Sequence, residues 1–487
     1  MSSKTDASPV WPLLVGLTIG AACVLRAWAL DSGLWYDEIV TLVLSARKPI
    51  STIVTAFPGV NQHPLYSVLA HLSIVWFGDT HWAVRLPAML AGVGTIAATW
   101  HLARRMLSDV EAWAATAVLA TSYHHIWFSQ NARGYTLLGC LAVVSTHLLL
   151  RVIDDDRPRR LAAYAVVAAL GVYTHLTMAL VVAGQAVVLA ACVGLKLPVA
   201  ARWSRGRLLV AGGGAALLAL VAYAPFAGDV LRAVDAPAPK QAAQVATAGW
   251  AASEALRALL DGAGGVATVV GVLLAGVGGL SLLRRRPLET CLLAVPAITT
   301  LGAMVVLGQP VRPRFFFFMA GAAALCVARG LGVVAGGVVR DGAVRARRQT
   351  WLTVAATLLF VAVSVPALPR NYRVPKQDFD GAVAWVDARV RDGAVAVVAP
   401  PACLPLREYY ARPWACVEHE SDLQRVTTSS EVIVLYTLRD YIGDAGLATA
   451  LTVSCPVVAT FPGTLGGGDI VVCRAPAASG AASGGRP

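Results

Sequence analysis

The chain reads as a polytopic α-helical membrane protein that ends in a small external α/β domain. Three observations predict this. Of the 487 residues, 57% are hydrophobic and 14% charged, apolar runs long enough to cross a bilayer recur as far as residue 368, and from Asn371 the pattern changes to short strands and helices. Such a composition is too apolar for a soluble domain. The formal net charge of +12 would point to nucleic acid in a soluble protein. Here the Arg residues fall in short loops between apolar runs, where positive charge sets membrane orientation, so a nucleic-acid partner is discounted.

Residues 11–30 are long enough to span, carry Arg26 and lack a small-x-small cleavage site before Asp31, which makes them a signal anchor. Residues 31–82 are too mixed for lipid and suit amphipathic helices on the interface, forming a first large external loop. Further spans are expected at 83–102, 112–127, 135–150, 161–173, 178–195, 208–227, 266–283, 288–307, 315–334 and 351–368. An external amphipathic helix is expected at 250–260. Placing the clusters at Arg104 and Arg105, Arg151 to Arg160, Lys196 to Arg207, Arg284 to Arg286 and Arg340 to Arg348 in the cytoplasm requires roughly eleven spans. The N-terminus is then cytoplasmic and the C-terminus external, across a cytoplasmic membrane.

The same topology collects Asp37, Glu38, His63, Arg133, His175, Arg312 and Arg314 on one external face, an agreement that the charge rule did not demand. The expected domains are a membrane catalytic domain over 1–368, with the catalytic loop at 31–82, an external α/β domain over 369–476 and a disordered tail over 477–487. Cys403, Cys416, Cys455 and Cys473 lie in the external domain and suit two disulfides. Of the three connectivities open to them, nearest neighbours (403 with 416, 455 with 473) are expected.

Asp37-Glu38 after the first span, His63-Pro64-Leu65-Tyr66, Arg85-Leu86-Pro87 and Ser129-Gln130-Asn131-Ala132-Arg133-Gly134-Tyr135 follow one another in an order that resembles the GT-C glycosyltransferases. The likeness is to the bacterial branch of the protein O-mannosyltransferase and aminoarabinose-transferase group. It covers residues 10–190 well and the later spans loosely. The resemblance implies a GT-C fold and an inverting transfer of one sugar from a polyprenyl-phosphate carrier to an acceptor outside the cytoplasmic membrane. It also gives the catalytic carboxylate to Asp37.

The chemistry agrees, because an acceptor hydroxyl needs a positioned base at neutral pH. Glu38 points about 100° away from Asp37 on a helix and is assigned to acceptor orientation. Arg133 is the first candidate for the donor phosphate, since its fork matches phosphate oxygens. Arg312 and Arg314 are the second candidates, with headgroup anchoring as the alternative. His63 is open between a pH-dependent phosphate contact and a helix-start hydrogen bond. Tyr36, Gln130, Tyr135 and His175 are placed in the sugar and acceptor pocket, with a structural role as the alternative for His175. The run Phe315 to Phe318 suits either the prenyl chain or an interfacial belt.

No Asp-x-Asp pair occurs in the external loop, so no obligatory metal or other cofactor is expected. No Walker or Rossmann fingerprint is present either, in keeping with a lipid-linked donor. The acceptor is left open among glycan, lipid and protein. A lipid-linked-sugar transporter or flippase is the alternative function; it would place polar or broken helices near the bilayer midplane, whereas here the polar groups collect at one external edge.

Overall fold

A backbone that crosses lipid finds no water to bond, so each apolar run must close its hydrogen bonds within a helix. The computed structural model describes residues 10–57, 59, 62–155, 157–235, 247–338, 345–427 and 432–476. The expected tail at 477–487, Asn61 and Arg340 lie outside the described residues. In chain order the helices are α1 (Val10–Ala27), α2 (Tyr36–Thr41), α3 (Ile50–Ile53), α4 (Pro64–Phe77), α5 (His81–Met106), α6 (Asp109–Ala120), α7 (Tyr123–Ser129), α8 (Tyr135–Asp154), α9 (Pro158–Thr174), α10 (Thr177–Gly194), α11 (Arg205–Tyr223), α12 (Ala227–Asp235), α13 (Ala248–Ala263), α14 (Gly265–Arg285), α15 (Pro287–Val306), α16 (Ala320–Val338), α17 (Arg345–Ser364) and α18 (Leu368–Arg373).

Among the described residues nine helical stretches are long and apolar enough to cross a membrane. Two expected spans fall outside that set. The segment at 161–173 is the 17-residue α9. The segment at 112–127 is divided between α6 and α7, with a break at Thr121 and Ser122. The break is held from both sides. Ser122 caps α7 by accepting the His125 N–H at 3.4 Å. Arg26 of α1, fully buried, donates to the terminal α6 carbonyls of Ala120 at 3.0 Å and Leu119 at 3.2 Å. A cation at the C-terminal end of a helix meets both its free carbonyls and its dipole.

Small residues let the helices meet backbone to backbone, the usual basis of association in lipid. At the crossing of α14 and α16, a Cβ on Gly278 would overlap the Cys326 carbonyl, and one on Gly330 the Leu274 carbonyl. Gly184 of α10 lies equally close to Pro296 of α15. At the Arg-rich end, Arg329 of α16 pairs with Glu111 of α6 at 2.6 Å and bonds Ser281 of α14 at 2.9 Å.

The C-terminal domain is built on a five-stranded sheet in the order β2-β1-β3-β5-β4. Its strands are β1 (Val395–Val398), β2 (Ala415–Cys416), β3 (Val432–Tyr436), β4 (Val457–Phe461) and β5 (Ile470–Ala475). β1 runs parallel to β2 and β3, while β5 is antiparallel to β3 and β4. Every residue of β3 is buried, because both faces of the sheet are covered. On one face α20 (Glu420–Val426) and α21 (Ala445–Val453) supply Leu423, Leu447 and Leu451. On the other, α19 (Phe379–Arg391) supplies Phe379 and Val383, which join Leu34, Ile39, Leu42 and Tyr66 of the segment between α1 and α5 in one core. Burying each such side chain contributes roughly 1.5–3 kcal/mol, so the domain and the segment are stabilised together. Disulfides join Cys403 to Cys416 and Cys455 to Cys473, with Cα atoms 5.6 and 5.4 Å apart.

Gly278→Val is expected to lower the thermal unfolding midpoint in nanodiscs by an amount matching an overpacking cost of about 1–3 kcal/mol or more. Gly276→Val, on the same helix with no atom within 4 Å of its added Cβ, should leave it near the wild-type value. Equal midpoints for the two variants would overturn the packing argument.

Candidate active site

Trp35 is extended and Tyr36 begins α2, so Asp37 and Glu38 fall in the first turn, where a helix dipole favours negative charge. Neighbours on a helix diverge by about 100°, and here they enter different surroundings. Glu38 has no exposed surface and meets Arg85 of α5 through two bonds, Nε to Oε1 at 2.7 Å and Nη2 to Oε2 at 2.6 Å. The Ala132 N–H donates to Oε1 at 2.7 Å. Arg85 also donates to the carbonyls of Leu30, Ser32 and Gly33 at 2.7–2.9 Å. Burial opposes the charge on Glu38, but Arg85, Lys376 and the Ala132 N–H outweigh it and hold its carboxyl below the usual range. The expected part of Glu38 in orienting an acceptor does not fit a saturated carboxylate with no exposed surface. It serves the architecture of the loop.

Asp37 turns the other way, onto a cavity of about 1240 Å³. Its Oδ2 lies 3.3 Å from Arg314 Nη1 and 4.0 Å from Arg133 Nε. Arg312, Arg314 and Tyr36 border the same cavity. Arg133 does not; it is buried behind Asp37 and donates to Thr41 Oγ1 at 2.9 Å. The expected order of phosphate candidates is thereby reversed, with Arg314 foremost because it alone combines the cavity with Asp37. Arg312 packs against the rings of Tyr441 at 5.0 Å and Trp250 at 5.9 Å. The Tyr36 phenol is pushed up to about 12 by burial and by Asp37.

Other expected pocket residues stand behind this surface. Gln130 is consumed by structure: its Nε2 donates to the carbonyls of Arg26 and Trp28, and its Oε1 accepts from Asn371 at 2.7 Å. The His63 ring packs between Tyr135 and His175, each 4.9 Å away between centroids. Burial first, then Arg133, His175 and Arg314, hold the His63 imidazole well below its usual range. It is therefore neutral at physiological pH, and its side chain makes no cap bond at the start of α4. Neither reading left open for His63 fits, and packing replaces them. His175 Nδ1 accepts the Thr177 N–H at 3.1 Å, a structural bond at the start of α10, and burial with Arg133 brings its ring down to about 3. Tyr135 is likewise buried among these rings and does not border the cavity.

The C-terminal domain forms the cavity roof. Pro401 follows β1, and Thr437 to Tyr441 follow β3, at the carboxyl ends of parallel strands where open sheets commonly present ligand-binding loops. Away from Asp37 the lining turns apolar, with Ala267, Gly271 and Ala275 of α14, Ala320, Ala324 and Val327 of α16, and Phe316 and Phe317 between. Of the four-phenylalanine run, these two rings face the cavity, while Phe318 packs into the core with Leu138 and Met178.

Residues the sequence reading missed hold the site together. Lys376 donates to the Gln130 carbonyl at 2.6 Å, and Gln377 accepts the Tyr36 N–H at 2.9 Å while donating to Thr437 Oγ1 and the Gly468 carbonyl. Burial lowers the Lys376 ammonium to about 7 against the pull of Glu38. Lys376 and Gln377 stand in the polar stretch after the last span and carry no signal of burial in the sequence, whereas Arg26 and Arg85 are charged residues inside apolar runs, a pattern that marks a buried partner. Cations face Asp37, and among the described residues no three potential metal ligands converge.

Residues 61–227 match the model of the family described as dolichyl-phosphate-mannose-protein mannosyltransferase. No curated protein matches the chain in sequence. Its fold is similar to that of ArnT from Cupriavidus metallidurans, at 13% identity and a TM-score of 0.55 over 96% of this chain and 98% of that one. The same enzyme bound to undecaprenyl phosphate gives 14% identity and 0.54 over the same shares. AglB, the oligosaccharyltransferase of Archaeoglobus fulgidus, in complex with an inhibitory peptide and a dolichol-phosphate, gives 14% identity and 0.55 over 95% of this chain and 74% of that one. The chain thus has the fold that the resemblance implied, shared with these membrane-embedded enzymes, and among the described residues nine helical stretches suited to crossing a membrane agree with it.

Arg85→Met would leave Glu38 buried and unpaired, and should cost about 3–5 kcal/mol in unfolding free energy, with Glu38→Gln added to it restoring part of the loss. For Lys376 the folded pKa of about 7 lies below the ordinary 10.5, so between these values the unfolded chain holds a proton that the folded chain lacks. Stability contributed by this group therefore rises with pH across that window. Melting curves of wild type should show the rise and those of Lys376→Met should lack it; parallel curves would contradict the assignment.

Proposed function

We propose that the chain transfers one sugar from a polyprenyl-phosphate carrier to an acceptor hydroxyl or amine on the external face of the cytoplasmic membrane, with inversion, and that Asp37 is the general base. The observation that carries this reading is the setting of Asp37. Its carboxylate borders the cavity beside Arg314 at 3.3 Å, and the same cavity continues between α14 and α16 as an apolar groove. A carboxylate, a cation and a hydrocarbon-lined channel are the three things that an acceptor, a phosphate and a prenyl chain need in one place.

In the proposed step the acceptor oxygen or nitrogen attacks the anomeric carbon as Asp37 takes its proton. The bond from that carbon to the phosphate oxygen breaks on the opposite side. The phosphate leaves as an anion held by Arg314, with Arg312 near it, so no separate acid is required. The ion pair of Asp37 with Arg314 is then the resting arrangement, which the entering sugar divides. Polyprenyl phosphates bound in the ArnT and AglB structures support the carrier class. No step is routed through a metal.

In membranes supplied with a radiolabelled polyprenyl-phosphate sugar, Asp37→Asn is expected to reduce transfer by about 100- to 10,000-fold, the usual contribution of a general base, while donor binding is kept. Arg314→Ala should instead weaken donor binding. Full turnover by Asp37→Asn would rule out the base assignment.

A further inference from the structure

We propose that the Nε2–H of His125 donates a hydrogen bond to the phosphate of the polyprenyl carrier, its proton held on that nitrogen by Arg26. The inference rests on the lipid-linked donor proposed above and deepens it by adding a binding group that the motif-bearing loops do not contain.

Arg26 Nη2 lies 2.8 Å from His125 Nδ1. A guanidinium has donors and no acceptor, so the Nδ1 facing it must present its lone pair, and the neutral ring carries its proton on Nε2. Arg26 cannot turn away, since its other donors are committed to the carbonyls of Ala22, Leu119 and Ala120 and to Ser129 Oγ. The tautomer is therefore set by the break between α6 and α7.

The Nε2 atom so protonated is buried and has no hydrogen-bond partner among the described residues. An unmet buried donor costs about 1–3 kcal/mol, so a partner supplied by a ligand is a physical expectation. His125 borders the same cavity as Asp37 and Arg314.

The ring of Phe317 lies 5.5 Å from that of His125. Arg314 and Phe317 are three residues apart on the 3₁₀ segment Pro313–Met319, so they share a face about 6 Å apart along its axis. Arg314, Phe317 and His125 all border the cavity, so a phosphate held by Arg314 enters the space that His125 lines. A neutral donor suits that place, where the lining turns apolar and a second buried cation would be costly.

The test uses the full chain in nanodiscs with ¹⁵N-labelled histidine, titrated with undecaprenyl phosphate and with undecaprenol, which lacks the phosphate. The expected result is a ring tautomer with the proton on Nε2 and a resonance shift caused by the phosphate lipid alone. His125→Phe should bind undecaprenyl phosphate about 10- to 100-fold more weakly, as for a lost bond to a charged group, and undecaprenol unchanged, while His125→Gln recovers part of the affinity. An equal shift with undecaprenol, or wild-type affinity in His125→Phe, would overturn the proposal while leaving a transferase that uses Arg314. Failure of the wild type to bind undecaprenyl phosphate at all would remove the donor reading and this inference with it. Should His125→Phe not fold, the wild-type resonance decides.

Discussion

The buried pair of Glu38 and Arg85 is the constraint on which the rest of the site depends. Taking both charges out of water costs several kcal/mol per ion, and the pair is tolerable only because every remaining polar atom finds a partner. Those partners come from separate pieces of chain: the carbonyls at Leu30, Ser32 and Gly33, and the N–H of Ala132. Satisfying the pair therefore fixes the exit from α1, the start of α5 and the turn before α8 relative to one another. Asp37 inherits its direction from this, since the residue after it is locked inward.

A second consequence concerns the C-terminal domain. Its core runs on into the first loop through Phe379, Leu34 and Ile39, and the strap from Asn371 to Gln377 bonds both the 130–131 turn and the backbone beside Asp37. The site is thus built by the helical part and the C-terminal domain jointly. Its roof comes from loops after β1 and β3, and its floor from the break between α6 and α7.

The cavity changes character along its length for a simple reason. The polar groups sit where helices end, at the first turn of α2, the 3₁₀ entry to α16 and the α6 to α7 break, while the apolar lining comes from helix interiors with small residues. Helix ends carry unmet backbone groups that polar side chains can meet, and helix interiors do not. A single cavity crossing from ends to interiors becomes amphipathic without any dedicated channel.

By itself the sequence determined what depends on local pattern. Apolar run length made most of the spans legible, ordered short motifs pointed to the GT-C fold, and the alternation of spans put Asp37 and the Arg312 to Arg314 loop at the same end of the helices, where the structure brings them together. Side-chain roles were not legible in the same way, because they depend on which way a residue faces and on what arrives from distant segments. Gln130, Tyr135 and His63 lie within the motifs yet face inward, while Lys376, Gln377, Arg26 and His125 lie outside the expected site and hold or border it. The helical offset of adjacent Asp37 and Glu38 told them apart but not which of them is buried. Tertiary structure decided that, since Arg85 sits 47 residues away in sequence and meets Glu38 and not Asp37.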